Sequence, residues 1–217
     1  MSLPHLQTLH LEHLPPAYDL HIALYHHVTN ASFLHQQLLA GNTDFEYAMI
    51  DATVILSKTH VLAAAYRAVN DLLENKLRSR NIHSEIVFSL SPNQNIAQSF
   101  RLFGITPTTT SLLILKLSTP TAPYLSSSVQ AHLSSSVEGE NVPFTDEVLA
   151  QGCDEKKVRK VYKLGALAGS GKVGGGKKGN VVVNGEKGGV EGGMVGSERR
   201  ELEVSVLGAM VLRSVTG

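Results

Sequence analysis

Outside one glycine-rich tract, apolar and polar positions fall into blocks that switch between a strand period and a helix period. Asp19 to Val28 (DLHIALYHHV) reads as a strand, with Ile22, Leu24 and His26 on one side. Asn30 is the candidate N-cap of a helix running to about Leu39 and stopped by Gly41. Tyr47 to Asp51 (YAMID) reads as a short buried strand. From Thr59, the positions Val61, Ala64, Ala65, Ala68, Leu72 and Leu73 recur at helical spacing and predict a long helix. Glu85 to Leu90 (EIVFSL), dominated by β-branched and aromatic residues, predicts a strand. Asn95 caps a helix over Ile96 to Phe103, with Gln98 placed for a capping box and Gly104 for a left-handed C′ residue. Ser111 to Leu117 (SLLILKL) predicts a second central strand. Helices follow around Phe144 to Gln151, Glu155 to Leu164 and Arg199 to Val215.

Composition changes this picture in one place. Gly165 to Gly196 holds 13 of the 19 glycines, so it has much backbone entropy to lose and little apolar surface to offset it. The expected organisation is one domain over 1–164 plus 199–217, interrupted by a flexible Gly/Lys-rich insertion over 165–198 in which Val181 to Asn184 forms at most a transient strand. Ser118 to Ser136 is rich in Ser, Thr and Pro, and its SSSVQAHL portion could start a short helix. Lys plus Arg equals Asp plus Glu, 19 against 19, so binding to RNA or membrane needs a local patch. A single cysteine, Cys153, fits a reducing compartment, and neither a secretory signal nor a spanning segment is legible. Nucleus and cytoplasm are the expected locations.

The candidate chemistry is thin. Ala166 to Val173 (ALAGSGKV) approaches a phosphate loop, but Val173 stands where a magnesium-holding hydroxyl is needed. His10 and His13, and His26 and His27, have no partners at metal-site spacing, and no cofactor is implied. Cys153 lacks a nucleophile's context. Lys156, Lys160 and Lys163 recur along one helix face, readable as a solvated face or as a phosphate-contacting ridge. Lys76, Arg78 and Arg80 offer a second basic cluster on one side of an extended segment. The turn Ser91 to Asn93 opens a helix N-terminus that could receive an anion, which keeps a small-molecule enzyme as a rival reading. The last helix, SVLGAMVLRSV, is apolar on nearly every side through Val206, Leu207, Ala209, Met210, Val211 and Leu212. Such a helix is either wholly core or packs one side on its own sheet and offers the other to a partner.

Three blocks carry a resemblance. KLRSRNIHSEIVFSLSPNQNIAQSFRLFGI, Lys76 to Ile105, is similar to the central signature of the PRPK-binding (TPRKB-type) subunit of the KEOPS/EKC complex. VRKVYKL, Val158 to Leu164, resembles a second block of that family, and the apolar C-terminal helix matches a third in character. HVTNASFL, His27 to Leu34, adds weaker similarity, and the glycine tract falls outside the resemblance. The resemblance implies an α+β domain with a mixed, largely antiparallel sheet flanked by helices. It implies a non-catalytic subunit that binds the atypical kinase/ATPase of KEOPS and helps recruit tRNA through its CCA 3′ end for threonylcarbamoyl-adenosine modification, with a tie to telomere maintenance. A scaffold without RNA contact is the alternative. Under this reading Val206, Leu207, Met210 and Val211 are the expected kinase contacts, and Arg78, Arg80, Lys156, Lys160 and Lys163 the expected RNA contacts.

Overall fold

The computed structural model describes residues 5–165 and 191–213, with the side chains of 191–195 excepted. Ala166 to Val173, Val181 to Asn184 and most of the expected insertion therefore lie outside the described residues. Among the described residues five strands form one sheet: β1 (Gln7–His10), β2 (Asp19–His26), β3 (Ala48–Asp51), β4 (Leu112–Leu117) and β5 (Glu140–Val142). Its order is β1-β2-β4-β3, with β5 pairing β2 beyond β1. Every pairing is antiparallel, so the expected α+β class holds and the sheet is antiparallel throughout rather than mixed.

Helices cover both faces of the sheet. On one face Leu20, Ile22, Leu24, Ile50, Leu113 and Leu115 pack against α2 (Lys58–Leu73), α3 (Ile82–Ser89), α4 (Ile96–Phe103) and α8 (Glu191–Leu212), with α6 (Asp146–Gly152) and α7 (Glu155–Val161) at the margin of the same core. On the other, Ala23, Tyr25, Met49, Leu112 and Ile114 pack against α1 (Ala31–Leu39) and α5 (Ser126–Ser136). Double coverage explains why LLILKL in β4 is buried at every position and reads as a continuous apolar run.

The largest departure from the sequence reading is α3. Glu85 to Leu90 is not a strand; it lies in the helix Ile82–Ser89 and its C-cap. Two polar side chains decide this. Asn81 Oδ1 accepts the Ser84 N–H at 2.8 Å as an N-cap. Glu85 Oε2 reaches back to the Arg78 and Ser79 N–H groups at 3.1 and 2.7 Å, fixing the entry to the helix. Burial on nearly every side then removes the polar face that would have marked a helical period.

Smaller corrections follow the same logic. Gly104 has φ −70 and is extended, not left-handed. A Cβ there would sit 2.6 Å from the Phe100 carbonyl, so the glycine is required by close approach. Asn95 caps α4 through the Gln98 N–H, but its own N–H is taken by Asn93 and not by the Gln98 side chain of a capping box. Asn30 precedes α1 without capping it; its amide instead holds the Ser136 carbonyl and the Glu138 N–H, tying α1 to the end of α5. Gly41, at φ 69, does end α1 as expected. β2 ends at His26, two residues before the expected Val28, and His27 stands beyond it with φ 53. Helix α7 ends at Val161 and α8 begins at Glu191, eight residues before the expected start.

Candidate functional site

Helix α8 settles its amphipathic question through spacing. Leu202, Val206, Met210 and Arg213 are buried along one stripe, while Val204, Val211 and Leu212 are more than half exposed. Three arginines lock it in place. Arg199 donates to the Leu56 carbonyl at 2.6 Å, and Arg67 donates to that of Met210 at 2.9 Å. Arg213 donates to the carbonyls of Phe88 and Ser91 and stacks 4.0 Å over the Phe88 ring. Between α2 and α8 runs an open groove of about 740 Å³, lined by Leu62, Ala63, Tyr66, Leu207, Met210 and Val211 with Arg67, Asn70 and Asp71 at its side. Of the four residues expected to touch a kinase, Val206 and Met210 are spent mainly on the domain's own core, at 0% and 4% exposure. Leu207, half-buried, and Val211, 63% exposed, line the groove.

A second recess, of about 430 Å³, opens between α1, α3 and the end of α4. Its apolar lining comes from Leu38, Met49, Val87 and Ile105, with Tyr47 beside them. Arg80 and Arg101 bring positive charge to it. Arg80 packs over Gly41, where a Cβ would lie 3.4 Å from the guanidinium. Glu46 and His83 also line it, with Glu46 Oε1 3.5 Å from His83 Nδ1. The His83 side and, further off, Lys116 and Arg80 hold the Glu46 carboxyl below the usual range, whereas burial pushes His83 down. Lys116 lies 4.8 Å over Tyr47 and 4.2 Å over Tyr124 and donates to the Glu46 carbonyl at 2.6 Å; burial lowers it to about 8. Burial likewise raises the Tyr47 hydroxyl to about 12.

The basic residues named from sequence are divided. Arg80 reaches the recess, while exposed Arg78 bonds Gln94. Lys76 is engaged by Glu74 at 2.6 Å. Lys156 and Lys160 are exposed on α7, and Lys163 follows the helix end at φ 55, so the expected ridge bends at its last member. Arg101, Glu46, Tyr47 and His83 escaped the sequence reading. Only for His83 is there a signal, its helical spacing with Val87, which a strand reading of the following residues hides. The Ser91–Asn93 turn offers little to an anion, since Ser91 Oγ accepts the Asn93 N–H and Asn95 the Gln98 N–H. Burial pushes the Cys153 thiol up to about 11. Among the described residues no cluster of His, Cys, Asp or Glu could hold a metal, and no helix is long and apolar enough to cross a membrane.

An antiparallel α+β domain with one apolar groove and one basic-rimmed recess defines a binding module. The sequence model of the kinase binding protein CGI-121 family matches residues 25–214, and the chain belongs to that family. It is 49% identical over 217 residues to the EKC/KEOPS complex subunit cgi121 of Aspergillus fumigatus, covering 100% of both chains, the glycine tract included. It is 40% identical over 214 residues to the EKC/KEOPS complex subunit CGI121 of Gibberella zeae, covering 97% of this chain and 99% of the relative. For the EKC/KEOPS complex subunit cgi121 of Schizosaccharomyces pombe the identity is 34% over 149 residues, or 69% and 84% of the two chains.

Proposed function

We propose that this chain is the EKC/KEOPS subunit that docks the complex's atypical kinase/ATPase and, through it, joins the other subunits while recruiting tRNA for threonylcarbamoyl-adenosine modification. The groove between α2 and α8 carries the kinase half of this reading. Tyr66, Leu207 and Val211 present apolar surface at its edge, and Tyr is a residue type that anchors interfaces. Each such side chain buried against a partner contributes ~1.5–3 kcal/mol before the cost of association. The recess beside Arg80 and Arg101 supports the RNA half: an apolar floor with cations at its rim suits one unpaired nucleotide, and the CCA 3′ end of tRNA is the occupant proposed. Exposed Lys156, Lys160 and Lys163 supply further phosphate contacts outside it. The subunit acts in the nucleus and cytoplasm.

The test is a pull-down with the kinase followed by a gel shift using intact and CCA-trimmed tRNA. Kinase capture with a shift weakened by trimming supports both halves. Kinase capture without any shift leaves a protein-interaction scaffold, and no capture removes the reading altogether. Binding through phosphates must also weaken steeply as salt rises.

A further inference from the structure

The sheet face covered by α1 and α5 is apolar along β4 until its fifth residue. Leu112, Ile114 and Lys116 share that face by alternation, and Lys116 is 4% exposed. A leucine there would continue the core, whereas a buried cation costs desolvation. That cost lowers the Lys116 ammonium to about 8. One carbonyl and two rings hold it: it donates to the Glu46 carbonyl at 2.6 Å and lies 4.8 Å over Tyr47 and 4.2 Å over Tyr124. The Glu46 carboxyl adds a weaker attraction. Also facing it are His21, opposite in register on β2, His83 on α3 and His132 on α5. Burial holds all three toward the neutral form, so the positive charge of this cluster is that of Lys116.

Two of these partners belong to another site as well. Glu46 and Tyr47 line the recess, and Lys116 does not. Both stand in the link entering β3, ahead of its first rung, Ala48 with Leu115, so the β3–β4 ladder does not pair them. The cation behind them supplies what the ladder lacks. It clamps the Glu46 backbone by its carbonyl and the Tyr47 side chain by its ring face. Resting on the reading that the recess takes the 3′ end of tRNA, we propose that Lys116 is a positioning residue for that site: its charge fixes the Glu46–Tyr47 wall from behind, without touching RNA.

The experiment measures binding of intact and CCA-trimmed tRNA to the full chain by fluorescence anisotropy, for wild type and Lys116→Met. The variant keeps an unbranched stem and deletes a buried charge, so its thermal stability should stay near wild type. Its affinity for intact tRNA should fall about fivefold, through the lost cation–π contacts. Trimmed tRNA should bind both proteins alike, because the effect acts only through the recess. The wild type carries its own control: its affinity for intact tRNA should fall by a similar factor between about pH 7 and about pH 9, as the ammonium loses its proton near 8, and Lys116→Met should lack this step. Should the variant not fold, the wild-type step, present with intact tRNA and absent with trimmed tRNA, decides alone. An affinity loss matched by lost stability makes Lys116 an ordinary core residue and overturns the proposal. An equal loss on trimmed tRNA, or a pH step that survives in Lys116→Met, overturns it too, while the RNA reading stands. If trimming does not weaken wild-type binding, the RNA reading itself falls and takes this inference with it.

Discussion

Three polar atoms in the core fix a tautomer. The Leu56 N–H donates to His60 Nδ1 at 3.3 Å, and the Tyr162 hydroxyl donates to the Leu90 carbonyl at 2.5 Å. His60 Nε2 must then carry the ring proton and donate to Tyr162 Oη, 2.6 Å away. The ring is fully buried and its pKa falls to about 3 through desolvation, against 6.5 for a free histidine. The folded-state value is depressed, so the unfolded chain binds the proton first as pH falls. Stability is full above about pH 6.5 and declines from there toward about 3, by up to ~1.4 kcal/mol per pH unit for this group. His21 and His83 are shifted in the same direction by burial. Thermal unfolding at pH 7, 6 and 5 should show a steady fall in Tm; a flat profile would contradict the buried neutral rings. Tyr162→Phe leaves the His60 donor and the Leu90 carbonyl without this partner and should cost roughly 1–3 kcal/mol in urea unfolding. None of this is legible in sequence, because His60 shares a helix face with Ala64 and Ala68, and its pairing with Tyr162, 102 residues on, is tertiary.

At the scale of elements, α3 is the instructive case. A continuous apolar run is equally a buried strand or a buried helix, and IVF favours the strand by propensity alone. What overrides propensity is a pair of local bonds, the Asn81 cap and the backward reach of Glu85, joined by a tertiary one, Arg213 on the terminal carbonyls from 125 residues away. Only the last is beyond the reach of local sequence. By contrast α2 and β4 were readable because helical spacing and chain-long burial leave clear patterns. Asn81→Ala should lower stability by about 1 kcal/mol. Gly104→Ala should cost more than a cap, since its Cβ meets backbone at 2.6 Å, which no rotamer change can relieve. Hydrogen exchange in Asn81→Ala is expected to rise first in α3, and unchanged protection there would argue against the cap's role.

At the scale of the whole molecule, the groove and the recess share no lining residue among the described residues. The groove belongs to α2 and α8 and the recess to α1, α3 and the end of α4, with α3 and Arg213 between them in the fold. If kinase and tRNA use these two places, their binding can be separated by substitution. Met210 is a poor probe, because Met210→Asp puts a charge at a position 4% exposed and should unfold the helix from the core. Val211, 63% exposed on the groove, is the better one. Val211→Asp should weaken kinase capture by tenfold or more, leave the unfolding free energy within about 0.5 kcal/mol of wild type, and leave tRNA binding by the free chain unchanged. Arg80→Glu should do the reverse, because it inverts a charge at the recess and touches nothing in the groove. Loss of both activities in either variant, with folding intact, would mean that the two surfaces form one interface. Kinase and tRNA would then compete for this subunit, and a complex holding both could not be built on it.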